Sequence, residues 1–394
     1  MRLPSLLYHE ESRFPPSLPW PSSPTRPRLP SRPGSHLVSA PTAGLGLLGF
    51  TAKAGKLQAR RDEHVQRWYV TFHGGESPKK DPHDNGDSGE ARSRAWNNIH
   101  VFALDGKPLG KALDTHTLPD DLDLRELRGF VFGPDGDLYV ANAYKDASQV
   151  LRFAGKLGAD GKHAFREVYV EQHKANPGLA HPFDVAFGPD SHLYVPSQDT
   201  NIVGRYYGPD ATEGNPGTPM PHPEVLQDVA TKHLLPGTFV PSQKHTPRGL
   251  RAVRGAIFGP DEDLYVADRD ADSIKRYEGG SGKFQREYRH QDLTTPVHLT
   301  FRTDDGALLA GSRDGNAVFA INPETGRTTA LIEPGAGGLR APAGMAFGPD
   351  RMLYVSSRET RQILRFDANS GKPDAAPFID DLDDFPEFIT LVEG

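Results

Sequence analysis

FVFGPDGDLYVAN begins at Phe130 and returns as VAFGPDSHLYVPS from Val185, AIFGPDEDLYVAD from Ala256 and MAFGPDRMLYVSS from Met345. A worn copy, LTFRTDDGALLAGS, begins at Leu299. Each copy is a short apolar run, a tight turn and a second apolar run. Proline stands second in the turn, where its fixed φ suits a type I turn, and Asp follows it. Each phrase therefore reads as a β-hairpin. A hairpin returning at blade-like spacing predicts an all-β chain folded as a β-propeller.

The residues after each phrase complete the unit. QVLRF (149–153), NIVGRYY, SIKRY, AVFAI and QILRF read as third strands with alternating apolar residues. Weaker fourth strands are expected at HAFREVYV, PEVLQDV, KFQREYRH, RTTALIE and APFIDDL. Four antiparallel strands per repeat, more polar toward the outside, is the pattern of a propeller blade. WYVTF (68–72) is a second strand without a first, followed by NNIHVFAL (97–104) and a candidate fourth strand in 112–118. The missing first strand is FPEFITL (385–391), which aligns with TPVHLTF at Thr295 and APAGMAF at Ala341. The expectation is a six-bladed propeller of four-stranded blades whose first blade is closed by the C-terminal strand, leaving no free sheet edge on the ring.

Cysteine is absent from the 394 residues, which excludes disulfides, thiolate zinc sites, iron–sulfur clusters and a cysteine nucleophile. Gly and Pro are abundant, as a turn-rich β protein requires. No run approaches the roughly 18 apolar residues of a membrane-spanning helix. The net charge of −7 argues against a general nucleic-acid binder.

Residues 1–66 are different material: ten prolines precede Thr42, and no acidic residue lies between Ser12 and Arg61. Nine Lys or Arg stand against four Asp or Glu, a surplus of five positive charges, which leaves −12 for residues 67–394. This composition fits a disordered extension, including one from an over-long start, or an Arg- and Ser-rich transit peptide. The propeller is assigned to 67–394. Compartment and oligomeric state stay open.

GPDGDLYVAN and GPDEDLYVAD, with QVLRF or SIKRY following, resemble the NHL-repeat and gluconolactonase-like (senescence-marker-protein) six-bladed propellers, a group that includes the streptogramin lyases. The resemblance covers about 67–394. It implies the architecture, while the activities on that backbone include lactonases, lyases and binding scaffolds. In the gluconolactonase-like enzymes a divalent cation sits in the central channel, held by one Glu, two Asn and one Asp at the starts of innermost strands. The corresponding positions here are Glu387, Arg128, Phe183, Arg254, Val297 and Ala343. Only Glu387 matches, and the two arginines cannot ligate a metal. No metal and no cofactor is expected.

A mixed polar set remains near the channel. Glu387, Arg128 and Arg254 occupy that position, and Asp184 and His298 stand one residue further on. Alternation along a strand predicts that the two sets point to opposite faces. Asn142, Ser197, Asp268, Ser312 and Ser357 end the second strands. Two readings stay open: Glu387 pairs with the arginines and satisfies a polar channel, or the arginines recognise an anionic or polar small molecule. His298 and Asp184 are the candidates for a general base and its orienting acid.

Two insertions decorate one rim. The first, His73 to Trp96, carries Asp81, His83, Asp84 and Asp87 but misses the EF-hand spacing, since Arg92 stands where the bidentate Glu belongs. The second, Thr231 to Val253, reads as a basic, partly apolar lid with His233, Phe239, His245, Arg248, Arg251 and the adjoining Arg254. A third, Gly208 to Pro223, reads as a loop on the opposite face. The function expected is a propeller that binds a small anionic or polar molecule, or a protein partner, at its elaborated rim and polar channel. The alternative is a metal-independent channel enzyme, a hydrolase or lyase on a lactone-like or cyclic substrate.

Overall fold

The computed structural model describes residues 66–74, 97–143, 148–226 and 233–393. The extension 1–65 and the acidic residues of the first insertion lie outside the described residues.

The GPD phrase folds as expected, and its residue types have a local cause. In the second blade the innermost strand is Leu127–Phe132 and the next is Leu138–Asn142. Gly133 N donates to Asp137 O at 2.8 Å across the turn. The Tyr139 hydroxyl donates to Asp135 Oδ2 at 3.0 Å, and Arg152 of the third strand, Gln149–Phe153, closes on the same oxygen at 2.6 Å. Gly133 lacks a side chain because a Cβ there would stand 2.6 Å from the Tyr139 ring. The Tyr–Asp bond returns at Tyr194–Asp190, Tyr265–Asp261 and Tyr354–Asp350, at 2.7–3.0 Å. The tyrosine ring also meets the next blade: Tyr139 to Phe187 at 5.0 Å, Tyr194 to Phe258 at 4.8 Å, Tyr265 to Phe301 at 5.2 Å, each edge-on. The phrase is thus a hairpin brace and an inter-blade wedge at once. In the worn copy Leu309 takes the tyrosine's place, and Arg302 pairs with Asp305 instead.

Six sheets result. Those of the second, fourth and fifth blades end in His163–Glu171, Phe284–Arg289 and Thr328–Ile332 as expected. The first blade is the composite one: Pro386–Glu393 pairs antiparallel with Gln66–Phe72, placing Trp68 opposite Leu391 and Val70 opposite Ile389. The innermost strands contact one another in an unbroken cycle from blade to blade, so the ring is closed.

The outer strands differ from expectation in three places. In the first blade the fourth strand is Pro108–Lys111, while Leu113–Asp114 crosses to run parallel beside His163–Glu171 of the next blade. In the third blade the described part of PEVLQDV holds the 3-10 turn Glu224–Leu226, and the strand that pairs with Ile202–Tyr206 is Thr238–Val240. Phe239 is fully buried there against Tyr194, so this part of the presumed lid belongs to a sheet. In the sixth blade APFIDDL contributes the isolated bridge Ile363–Ile379 beside Gln362–Asp367. Among the described residues no helix is long and apolar enough to cross a membrane.

Candidate functional site

The innermost strands carry a β-bulge near their starts. Leu127 pairs with Asn142 but Phe130 with Val140, and the same shift separates Val253 from Ala256, Pro296 from Leu299 and Pro342 from Met345. A bulge re-aims the residues it contains. The alternation argument fails here for that reason: two consecutive positions per strand reach the axis, at different depths, instead of pointing to opposite faces.

The first of these positions lines a cavity of about 360 Å³ with Arg128, Phe183, Arg254, Val297, Ala343 and Glu387. The residues directly after four second strands join them, namely His73, Gln198, Arg313 and Arg358. Glu126 and His181, from the turns that enter the second and third blades, complete the polar lining. Apart from the histidines, four arginines against two glutamates leave two positive charges in surplus.

One side of this arginine cavity is paired. Arg358 Nε donates to Glu387 Oε1 at 2.8 Å, and Arg128 Nη1 lies 3.2 Å from the same oxygen but off the hydrogen-bonding direction. Arg128 Nη2 stands 3.5 Å from Glu126 and 3.4 Å from His73 Nε2. Burial alone would raise the Glu387 carboxyl; Arg128 and Arg358 outweigh it and hold the group below the usual glutamate range. Burial, then Arg128, lowers His73, so its imidazole is neutral near pH 7.

The other side is unpaired. Arg254 donates to its neighbour's carbonyl, Val253 O, at 2.7 Å, and its guanidinium lies 5.4 Å from the Phe183 ring centroid. Burial, with Arg269 and Arg128 nearby, pulls its pKa down to about 10. Among the described residues neither Arg254 nor Arg313 has a carboxylate within ion-pair distance.

The second position on each strand forms a waist below this cavity. Around the ring it reads Phe388, Gly129, Asp184, Gly255, His298, Gly344. Glycine alternates with a larger residue because each glycine is closely approached: a Cβ on Gly129 would overlap Asp184 Oδ1, while one on Gly255 or Gly344 would run into the backbone of the adjacent innermost strand, at Val297 O and Glu387 O. Asp184 and His298, the acid and base candidates, are not hydrogen-bonded to each other. Asp184 accepts Val185 N at 2.9 Å and Ala256 N at 3.3 Å. Burial raises its pKa to about 7 and lowers that of His298 to about 4. Both line a second cavity of about 440 Å³ at the opposite end of the strands, which shares no lining residue with the first.

Asn142 and Asp268 line neither cavity. Both are fully buried and hold the turns that enter their blades. Asn142 accepts Arg125 N at 2.7 Å and donates to Asp123 O at 3.0 Å. Asp268 accepts Arg251 N and Ala252 N at about 3 Å and pairs with Lys275 at 2.7 Å. The signal that sequence reading missed lies one residue later, at His73, Gln198, Arg313 and Arg358, because a one-residue step along a strand changes face.

The donor set does not fit a divalent cation at the family's channel position. Glu387 is its one carboxylate and is engaged by two guanidinium groups. Among the described residues no cluster of three or more His, Cys, Asp or Glu has metal-binding geometry. The cation-flavoured residues Asp81, His83, Asp84 and Asp87 lie outside the described residues. Of the lid residues named from sequence, Arg254 lines the arginine cavity and the others do not.

Neither the family models nor the curated proteins compared with this chain match it. Solved structures do. A periplasmic gluconolactonase from Pseudomonas aeruginosa is 15% identical over 83% of this chain and 99% of its own, with a TM-score of 0.51. A chain of a nidogen/laminin complex gives 15%, 83%, 98% and 0.51. A virginiamycin B lyase from Staphylococcus aureus gives 16%, 68%, 69% and 0.41. At these identities the likeness to the gluconolactonase and to the nidogen/laminin chain shows the propeller fold alone, and the fold leaves activity open.

Proposed function

We propose that this propeller binds a small anionic molecule, a carboxylate or a phosphate ester, in the arginine cavity. The observation that carries the reading is the pair Arg254 and Arg313, on adjacent blades, lining one cavity without an acidic partner among the described residues. A guanidinium taken out of water is costly unless a counter-charge meets it. Arg128 and Arg358 have theirs in Glu387. Arg254 has only a carbonyl and an aromatic face, and burial with Arg269 and Arg128 nearby lowers its pKa. A ligand oxyanion supplies the missing charge, and the planar fork of arginine suits it bidentately. Pairing of Glu387 accounts for half of the arginines, so a channel satisfied purely from within does not explain the other half.

The test is calorimetric titration of small carboxylates, inorganic phosphate and phosphate monoesters against the wild type, Arg254→Lys and Arg313→Lys. Lysine keeps the charge and loses the fork, so affinity for the binding anion should fall about tenfold or more with the melting temperature little changed. A wild type that binds none of these anions at millimolar concentration overturns the reading.

A further inference from the structure

The second cavity has a chemistry opposite to the first. Its walls come from the later part of all six innermost strands and include Phe130, Ile257, Leu299 and Met345, with Asp184, His298 and Phe388 at the waist that separates it from the arginines. No lysine or arginine lines it. We infer that this apolar cavity is a second binding site and takes a small organic ammonium ion, with the apolar body in the bowl and the N–H head on Asp184.

Three features support this. First, Asp184 is a half-buried carboxyl without a counter-cation; its hydrogen bonds come from the backbone amides of Val185 and Ala256 alone. A buried carboxylate without a cation is the mirror image of Arg254, and an ammonium group completes it. Second, His298 is held neutral, so it adds no positive charge, and its Nδ1 has no hydrogen-bond partner. Third, Phe388 lies beside His298, with ring centroids 5.2 Å apart, and gives an aromatic face to a cation at the same depth. The charged groups on the strands packed against Asp184 are Arg128, Arg254 and Glu387. All three line the arginine cavity, on the far side of the waist, so His298 is the other titratable group on this side.

The probe set is benzylamine, benzyl alcohol and benzoate, titrated calorimetrically into the full chain at pH 6 and pH 8. Benzylamine should bind, and benzyl alcohol at least tenfold more weakly; benzoate serves as a monitor of the arginine cavity, and its binding should be unchanged by Asp184→Asn. Because the ammonium ion needs the ionised carboxyl, and Asp184 titrates at about 7, benzylamine should bind about tenfold tighter at pH 8 than at pH 6. Asp184→Asn should remove the preference for the amine, leaving amine and alcohol bound alike. Should that variant fail to fold, Ala346→Phe narrows the cavity without touching the carboxyl and should abolish benzylamine binding. Benzyl alcohol binding as tightly as benzylamine, an amine preference that survives Asp184→Asn, benzylamine binding unchanged in Ala346→Phe, or no benzylamine binding at millimolar concentration overturns the inference.

Discussion

Arg358 and Arg128 reach one carboxylate oxygen, Oε1 of Glu387, from the sixth and second blades while the glutamate itself stands on the first. The strand that closes the ring thereby also ties its two neighbours electrostatically. Glu387→Gln keeps the shape but leaves Arg358 without its counter-ion and Arg128 with Glu126 alone, which should lower stability by about 3 kcal/mol. Inorganic phosphate should then raise the variant's melting temperature more than the wild type's. The folded carboxyl titrates below its ordinary value. Its contribution is therefore complete above the unfolded pKa and lost as pH falls through the lower folded one, and the two proteins should converge in acid. Equal melting temperatures at pH 7 would refute the tie.

Asp184 predicts the reverse slope. Its folded pKa is raised to about 7 by burial. Between the unfolded aspartate value and pH 7 the native state holds a proton that the unfolded state has released, so stability falls as pH rises through that window and is level above it. The span corresponds to about 4 kcal/mol at most. Denaturant titrations at pH 4.5 and pH 8 should show this loss in the wild type and a much smaller one in Asp184→Asn.

The closing seam can be probed at Trp68, which is fully buried on the first blade with its ring centroid 4.3 Å from that of Tyr354 on the sixth. Trp68→Ala should cost about 3–5 kcal/mol. Leu109→Ala, on the exposed outermost strand of the same blade, should change stability by no more than about 0.5 kcal/mol. Chemical denaturation of both variants separates a closed ring from an open array, in which Trp68 would matter little.

Gly129→Ala tests the waist. The added methyl group occupies the place of Asp184 Oδ1, and overpacking of this kind costs about 1–3 kcal/mol. Ala substitution at Gly136, where no atom lies near the would-be Cβ but φ is +79°, is a comparison in which strain comes from the backbone alone. The discriminating readout is pH dependence: only Gly129→Ala should alter the slope assigned to Asp184.

The parts legible in sequence are those whose causes are local. Gly133, Asp135, Tyr139 and Arg152 brace one another within 20 residues, so the motif announces itself wherever it recurs. Outer strands have no such brace. Pro108–Lys111 is exposed along its whole length, and Thr238–Val240 is three residues held by a distant sheet, so neither leaves an alternating pattern long enough to read. At the site, Arg128, Arg254 and Glu387 were visible because a repeat aligns them. Arg313 and Arg358 stand one step past a strand end, where the face changes with each residue. The stacking of arginine cavity over waist depends on a bulge, which inserts a residue without changing the apolar pattern.

The closing pair of strands also sets a schedule. Gln66 and Glu393 bond side chain to side chain across 327 residues of chain, and at the usual rate of synthesis roughly 20–60 s separate the appearance of the two strands. Throughout that interval the inner edge of Gln66–Phe72 is made but unmatched, and Trp68 has no sixth blade to pack against. Blades two to five can form in the order they emerge. The first blade must wait for the last strand, and a nascent chain of this protein is most vulnerable to mispairing with a copy on the same messenger at its oldest segment rather than its newest.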